Sequence, residues 1–95
     1  MSESEIRVEG QPHWFVYIAE SRYKKYYVGI TTNPLQRIKK HNCGKGSLMA
    51  KQQGPFILRY VSNPYSNKSR ARIREIQLKR WSRSKKEKLI LGKWR

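Results

Sequence analysis

The sequence predicts a small α+β domain, a three-stranded antiparallel sheet flanked by about three helices in the order ββαβαα. Three observations carry that prediction. Two aromatic and β-branched runs, Trp14–Ala19 and Tyr26–Ile30, stand on either side of a charged turn, which is the signal of an antiparallel hairpin. A third such run, Phe56–Val61, follows a helical stretch and precedes two more. With 95 residues there is length for one domain and not for two.

Taken in order, residues 1–12 carry three of the six acids and end Gly-Gln-Pro, the composition of a flexible tail. The domain is expected over 13–92, with 93–95 as a short C-terminal tail. Side chains alternate along a strand, so Phe15, Tyr17 and Ala19 share a face of the first run, and Tyr27, Gly29 and Thr31 share a face of the second. A turn centred on Arg22 sets Tyr17 opposite Tyr27, with Gly29 leaving a gap beside them. The turn, Glu20 to Lys25, has no glycine and no Asn-Gly pair, which favours a loop of three to five residues over a tight two-residue turn.

Asn33-Pro34 starts the first helix: Asn33 supplies the cap, and Pro34 sits where its missing N–H costs nothing. It runs to about His41 and closes at Cys43-Gly44. Leu35, Ile38 and Asn42 fall on one side of its wheel, while Arg37 and His41, four apart, share an adjoining side. Residues 42–55, rich in Gly and Lys, read as a long loop of the kind that often carries function. After the third strand, Ser66 or Ser69 is expected to cap the longest helix, which ends near Trp81. Ala71 and Leu78 lie on one side of it and Ile73 and Ile76 on another, a pattern of packing on two sides. Glu75 falls on the Ala71–Leu78 side, where a carboxylate needs a partner. Ser82–Leu91 makes a basic third helix closed by Gly92.

Composition narrows the function. A net charge of +16, from 22 Lys and Arg against 6 Glu, points to a polyanionic partner, nucleic acid first. A membrane surface would call for a basic amphipathic helix with a coherent apolar face, which is not evident. The single cysteine, Cys43, excludes an internal disulfide framework and a multi-Cys zinc site. With no signal peptide or apolar run of spanning length, a cytoplasmic protein is expected.

With Tyr17, Tyr27, Arg37, His41 and Glu75 placed, the chain resembles the GIY-YIG nucleases from about Trp14 to Gly92. Val16-Tyr17-Ile18 matches the first signature triplet and Tyr27-Val28-Gly29 the second. The helix Pro34–His41, then Gly44-Lys45-Gly46, the helix bearing Arg74-Glu75, and the ending SRSKKEKLI resemble the short single-domain bacterial members. Val16 replaces the first glycine of the family name, and Ile30 stands where some members carry lysine. The resemblance implies hydrolysis of DNA phosphodiesters with one Mg²⁺ or Mn²⁺, in repair, recombination or DNA processing. It implies Glu75 as the protein ligand to the ion and Arg37 on a phosphate oxygen. Tyr17 or His41 would be the general base, Tyr27 would assist by hydrogen bonding, and Gly29 would keep the floor of the site open. Lys39, Lys40, Lys45, Lys51, Arg74, Arg83, Lys85 and Lys86 are the expected phosphate contacts. A protein partner supplying specificity would suit so small a chain, and its oligomeric state stays open.

Each residue alone has an ordinary reading. The tyrosines suit plain cross-strand packing, Glu75 suits an i,i+4 ion pair with Lys79, and Arg37 and His41 suit a solvated helix edge. A non-catalytic nucleic-acid-binding module on the same scaffold is therefore the alternative function, bound through phosphates with steep salt dependence.

Overall fold

A computed structural model of the protein describes residues 13–43 and 54–93. The expected N-terminal tail, Gly44-Lys45-Gly46 and Lys51 lie outside them. Strand β1 (Phe15–Glu20) pairs antiparallel with β2 (Tyr26–Thr31) and, on its other edge, with β3 (Ile57–Val61), giving the order β2-β1-β3. Helix α1 (Pro34–Asn42) follows β2, and α2 (Lys68–Lys79) and α3 (Arg83–Ile90) close the chain, so the ββαβαα prediction holds.

The central strand is covered on both faces, which is why it reads as an unbroken apolar run. Val16 and Ile18, fully buried, pack with Ile30 against Ala71 and Leu78 of α2 and Leu89 of α3. Tyr17 and Ala19 point the other way, into a smaller cluster with Phe56, Tyr27, Ile38 of α1 and Leu58.

The hairpin register differs from the expectation. Tyr17 lies opposite Gly29, and Tyr27 opposite Ala19, so the turn is centred on Tyr23 and the two tyrosines are diagonal neighbours on one face. The cause is the loop chemistry. Ser21 Oγ accepts from the Tyr23 and Lys25 amides, and Lys24 takes the left-handed conformation at φ 67°, so three residues turn the chain without glycine. Between β1 and β3 the register shifts at Ile18/Ala19: Ile18 faces Tyr60 and Ala19 faces Leu58, which leaves Arg59 as the extra residue. Beyond this bulge Ser62 Oγ accepts from the buried Val16 amide at 2.9 Å.

Helix caps follow local chemistry. Asn33 Oδ1 accepts from the Gln36 amide, as expected for α1. Asn67 caps α2 by accepting from the Arg70 amide, in place of Ser66 or Ser69. Ser82 caps α3, and Gly92 follows at φ 81°. The apolar wheels are only half used. Ile38 packs inward, but Leu35 is 76% exposed; Ala71 and Leu78 are buried, but Ile73 and Ile76 are exposed. No second layer covers that side of α2 among the described residues, so the two-sided packing expected of it is not found.

Candidate active site

The Tyr17 face of the sheet borders a cavity of about 420 Å³ lined by Tyr17, Tyr27, His41, Phe56, Lys79 and Lys86 among others. Strand alternation puts the two tyrosines on that face, and α1 brings His41 over them. Asn42, next along α1, accepts from the Phe56 amide at 2.7 Å and donates to the Phe56 carbonyl at 3.0 Å. That clamp sets the Phe56 ring edge-on to Tyr27 and tilted against His41, each with centroids 5.6 Å apart.

Gly29 has a different role from the one expected. The space beside it is filled by the Tyr17 phenol: a Cβ at position 29 would lie 2.6 Å from the Tyr17 hydroxyl oxygen and 2.7 Å from Cζ. The glycine thus makes room for the tyrosine itself.

Charge tunes the two candidate bases in opposite ways. Burial pushes the Tyr17 phenol above its ordinary value; the Arg37 guanidinium opposes this and the Glu75 carboxylate reinforces it. Tyr17 is therefore a protonated hydrogen-bond donor at neutral pH. Burial holds His41 below its ordinary value, helped by Arg37 and Lys40, so its imidazole is neutral. Its Nδ1 is buried with no hydrogen-bond partner among the described residues. Arg37 itself is exposed on α1 and lines an adjoining groove of about 520 Å³ with Lys39 and Lys40.

Glu75 is buried, at 5% exposure, and each of its oxygens meets a cation. Arg72 Nη1 donates to Oε1 at 3.0 Å, and Lys79 Nζ lies 3.4 Å from Oε2. Lys79 also lines the cavity and so links the Glu75 carboxylate to it, although Glu75 itself is not among the lining residues; the Glu75 charge acts on Tyr17. Among the described residues no group of three or more His, Cys, Asp or Glu side chains forms a metal cage. Glu75 is tied to the cavity through Lys79, and as a hard oxygen donor it suits a small hard cation, which keeps several waters and takes phosphate oxygens as further ligands.

Comparison with known proteins identifies the family. The family model for the GIY-YIG catalytic domain matches residues 13–88. The chain belongs to the GIY-YIG family. Its relatives include a UPF0213 protein of Staphylococcus haemolyticus, 41% identical over 76 residues that span 80% of this chain and 92% of the relative. A second, from Halobacterium salinarum, is 36% identical over 75 residues, 79% of this chain and 96% of the relative. The solution NMR structure of the UPF0213 protein BH0048 from Bacillus halodurans superposes with a TM-score of 0.54 at 38% identity, covering 85% of each chain. The GIY-YIG domain is a nuclease domain with DNA as its substrate, and GIY-YIG nucleases generally use divalent metals. No helix among the described residues is long and apolar enough to cross a membrane.

Within this GIY-YIG domain the expected phosphate contacts separate into groups. Lys39 and Lys40 face the groove beside Arg37, and Lys86 faces the cavity. Arg74 and Lys85 lie over the Trp81 ring at 5.0 and 4.4 Å. Arg83 is committed internally: it stacks on Tyr26 at 4.1 Å, donates to the Lys24 carbonyl, and pairs with Glu20 and Glu87. It fastens α3 to the hairpin. Sequence reading passed over Arg72, Phe56 and Asn42 as site-building residues. Arg72, three before Glu75, was findable from the same helical spacing that gave Lys79, four after; the Asn42–Phe56 clamp joins residues 14 apart across a loop and leaves no local pattern.

Proposed function

We propose that this chain is a divalent-metal-dependent endonuclease that hydrolyses DNA phosphodiester bonds, acting in repair, recombination or DNA processing. One observation carries the reading. A protonated phenol and a neutral imidazole line a single cavity in a chain of net charge +16, and Lys79, which lines the same cavity, pairs with the buried Glu75 carboxylate.

Each group then has a chemical task. Arg37 holds a non-bridging phosphate oxygen and neutralises charge that grows in the transition state. The Tyr17 hydroxyl donates a hydrogen bond that orients the attacking water or the phosphate, and Tyr27 assists from the diagonal position. His41 takes the water's proton: an imidazole already neutral has a free lone pair, whereas the Tyr17 phenol must first lose a proton that its burial holds. The water oxygen bonds to phosphorus as the bond to the 3′-oxygen breaks, and the departing oxygen takes a proton from solvent, leaving 5′-phosphate and 3′-hydroxyl ends. Glu75 would hold Mg²⁺ or Mn²⁺, which supplies Lewis-acid stabilisation of the phosphoryl and leaving oxygens.

The test is a cleavage panel of branched, single-stranded and duplex DNA with either ion. The intact chain is expected to nick at least one substrate, and Glu75→Ala to abolish nicking while DNA is still retained in a gel-shift assay. Undiminished cleavage by that variant overturns the assignment of Glu75; no cleavage of any substrate by the intact chain reduces the protein to a nucleic-acid-binding module.

A further inference from the structure

We infer that Lys79 is a substrate-responsive lock on Glu75: its ammonium occupies the carboxylate until a DNA phosphodiester in the cavity draws it away, so that metal and DNA bind cooperatively. The inference rests on the reading of Glu75 as the metal-holding carboxylate.

Burying a carboxylate is costly unless it is paired, and an ion pair between residues of one helix adds little to stability. Helix stability therefore gives no reason to bury Glu75 between two cations. Its partners are not equivalent. Arg72 donates a directed hydrogen bond to Oε1 at 3.0 Å, whereas Lys79 makes a longer contact of 3.4 Å to Oε2. Among the described residues Lys79 pairs with Glu75 alone, and its side chain is 56% exposed on a flexible stem. By contrast, Arg83 is held by a ring, a carbonyl and two carboxylates. Lys79 is thus the cation with least to lose by moving, and it already lines the cavity beside Tyr17, Tyr27 and His41.

Two consequences follow from Coulomb's law. The Lys79 and Arg72 charges at Glu75 exceed its single negative charge and repel a divalent cation, so the free protein binds it weakly. A phosphodiester in the cavity offers the ammonium a new anion, frees Oε2, and adds its own oxygens as ligands. Linkage makes the effect reciprocal, with a typical coupling of about 5–150-fold. Lys79 is in this sense a positioning residue, acting through Glu75.

The experiment titrates Mn²⁺ into the full chain and follows the free-ion electron paramagnetic resonance signal, with and without a short phosphorothioate duplex. The parent is expected to bind Mn²⁺ weakly alone and about 5–150-fold more tightly with the duplex. Lys79→Gln is expected to bind Mn²⁺ more tightly than the parent without DNA and to gain less from the duplex. Lys79→Arg, which keeps the charge, is expected to behave as the parent. Unchanged or weaker DNA-free affinity in Lys79→Gln overturns the lock. Glu75→Gln, run in parallel, separates this from the underlying reading: Mn²⁺ affinity surviving in that variant removes Glu75 as the ligand, whatever Lys79 does. Thermal melts of each variant show that the fold persists.

Discussion

Gly29→Ala tests how the tyrosine face is built. The backbone at Gly29 is not in the left-handed region, so alanine is accepted conformationally, and by itself the change stabilises by about 0.4–1 kcal/mol through the unfolded chain. Against this stand three contacts of the new Cβ with Tyr17, at 2.6, 2.7 and 2.9 Å, where normal packing needs 3.4 Å or more. The ring must move by roughly 1 Å, an overpacking cost of about 1–3 kcal/mol. Because Tyr17 borders the cavity, its ring can swing into open space, which places the cost in the lower part of that range. The net loss is then about 1 kcal/mol, a fall in Tm of roughly 4–8 °C for a domain this size. The decisive measurement is a double-mutant cycle by thermal and urea unfolding. With Tyr17→Ala as the background the clash is gone, and Gly29→Ala is expected to change sign and stabilise. If Gly29→Ala is equally destabilising with and without the Tyr17 ring, the close approach is not what the glycine serves.

Two further predictions follow from charge. His41 has a folded pKa depressed by burial, by Arg37 and by Lys40, so the unfolded chain takes up the proton first. Its contribution to stability is complete above about pH 6.5 and is lost as pH falls through the lower folded value. The parent should therefore lose more Tm between pH 7.5 and pH 5 than His41→Gln does; parallel curves would remove His41 from the argument. Arg83 and Lys86 should separate by assay. Arg83→Ala, which frees α3 from the hairpin, is expected to lower Tm by several degrees, whereas Lys86→Ala is expected to leave Tm unchanged and flatten the salt dependence of DNA binding. The reverse pattern would exchange their roles.

What could be read from sequence was what local chemistry determines. The strands announced themselves by aromatic and β-branched runs, α1 by Asn33-Pro34, and the end of α3 by Gly92. The register did not, because it depends on Lys24 adopting a conformation that lysine rarely takes, held by Ser21. A shift of two residues keeps every side chain on its face. That is why the tyrosine face was legible although the pairing was not. Helical wheels overstated the core at Leu35, Ile73 and Ile76, since periodicity marks which residues share a side and not whether anything covers it. The contacts that shape the cavity, Asn42 to Phe56 and Phe56 to His41, are tertiary and depend on where the chain returns after the long loop.

The scarcity of acids bears on why the proposed metal site falls on Glu75 rather than on another carboxylate. Three glutamates lie among the described residues, and each is paired. Glu20 meets Arg59, the extra residue of the bulge, and Arg83; Glu87 meets Arg83 and accepts from the Tyr26 hydroxyl at 3.5 Å. Those two carboxylates, bridged by one guanidinium, bind the hairpin to α3, and withdrawing either would loosen the fold. Glu75 joins residues of a single helix, so its ion pairs can be exchanged without separating any two elements. On the proposed function, a highly cationic protein admits a further cation and needs one carboxylate whose partners are dispensable to the architecture. Among the described glutamates, Glu75 alone meets that condition, and it is also the one whose charge acts on Tyr17.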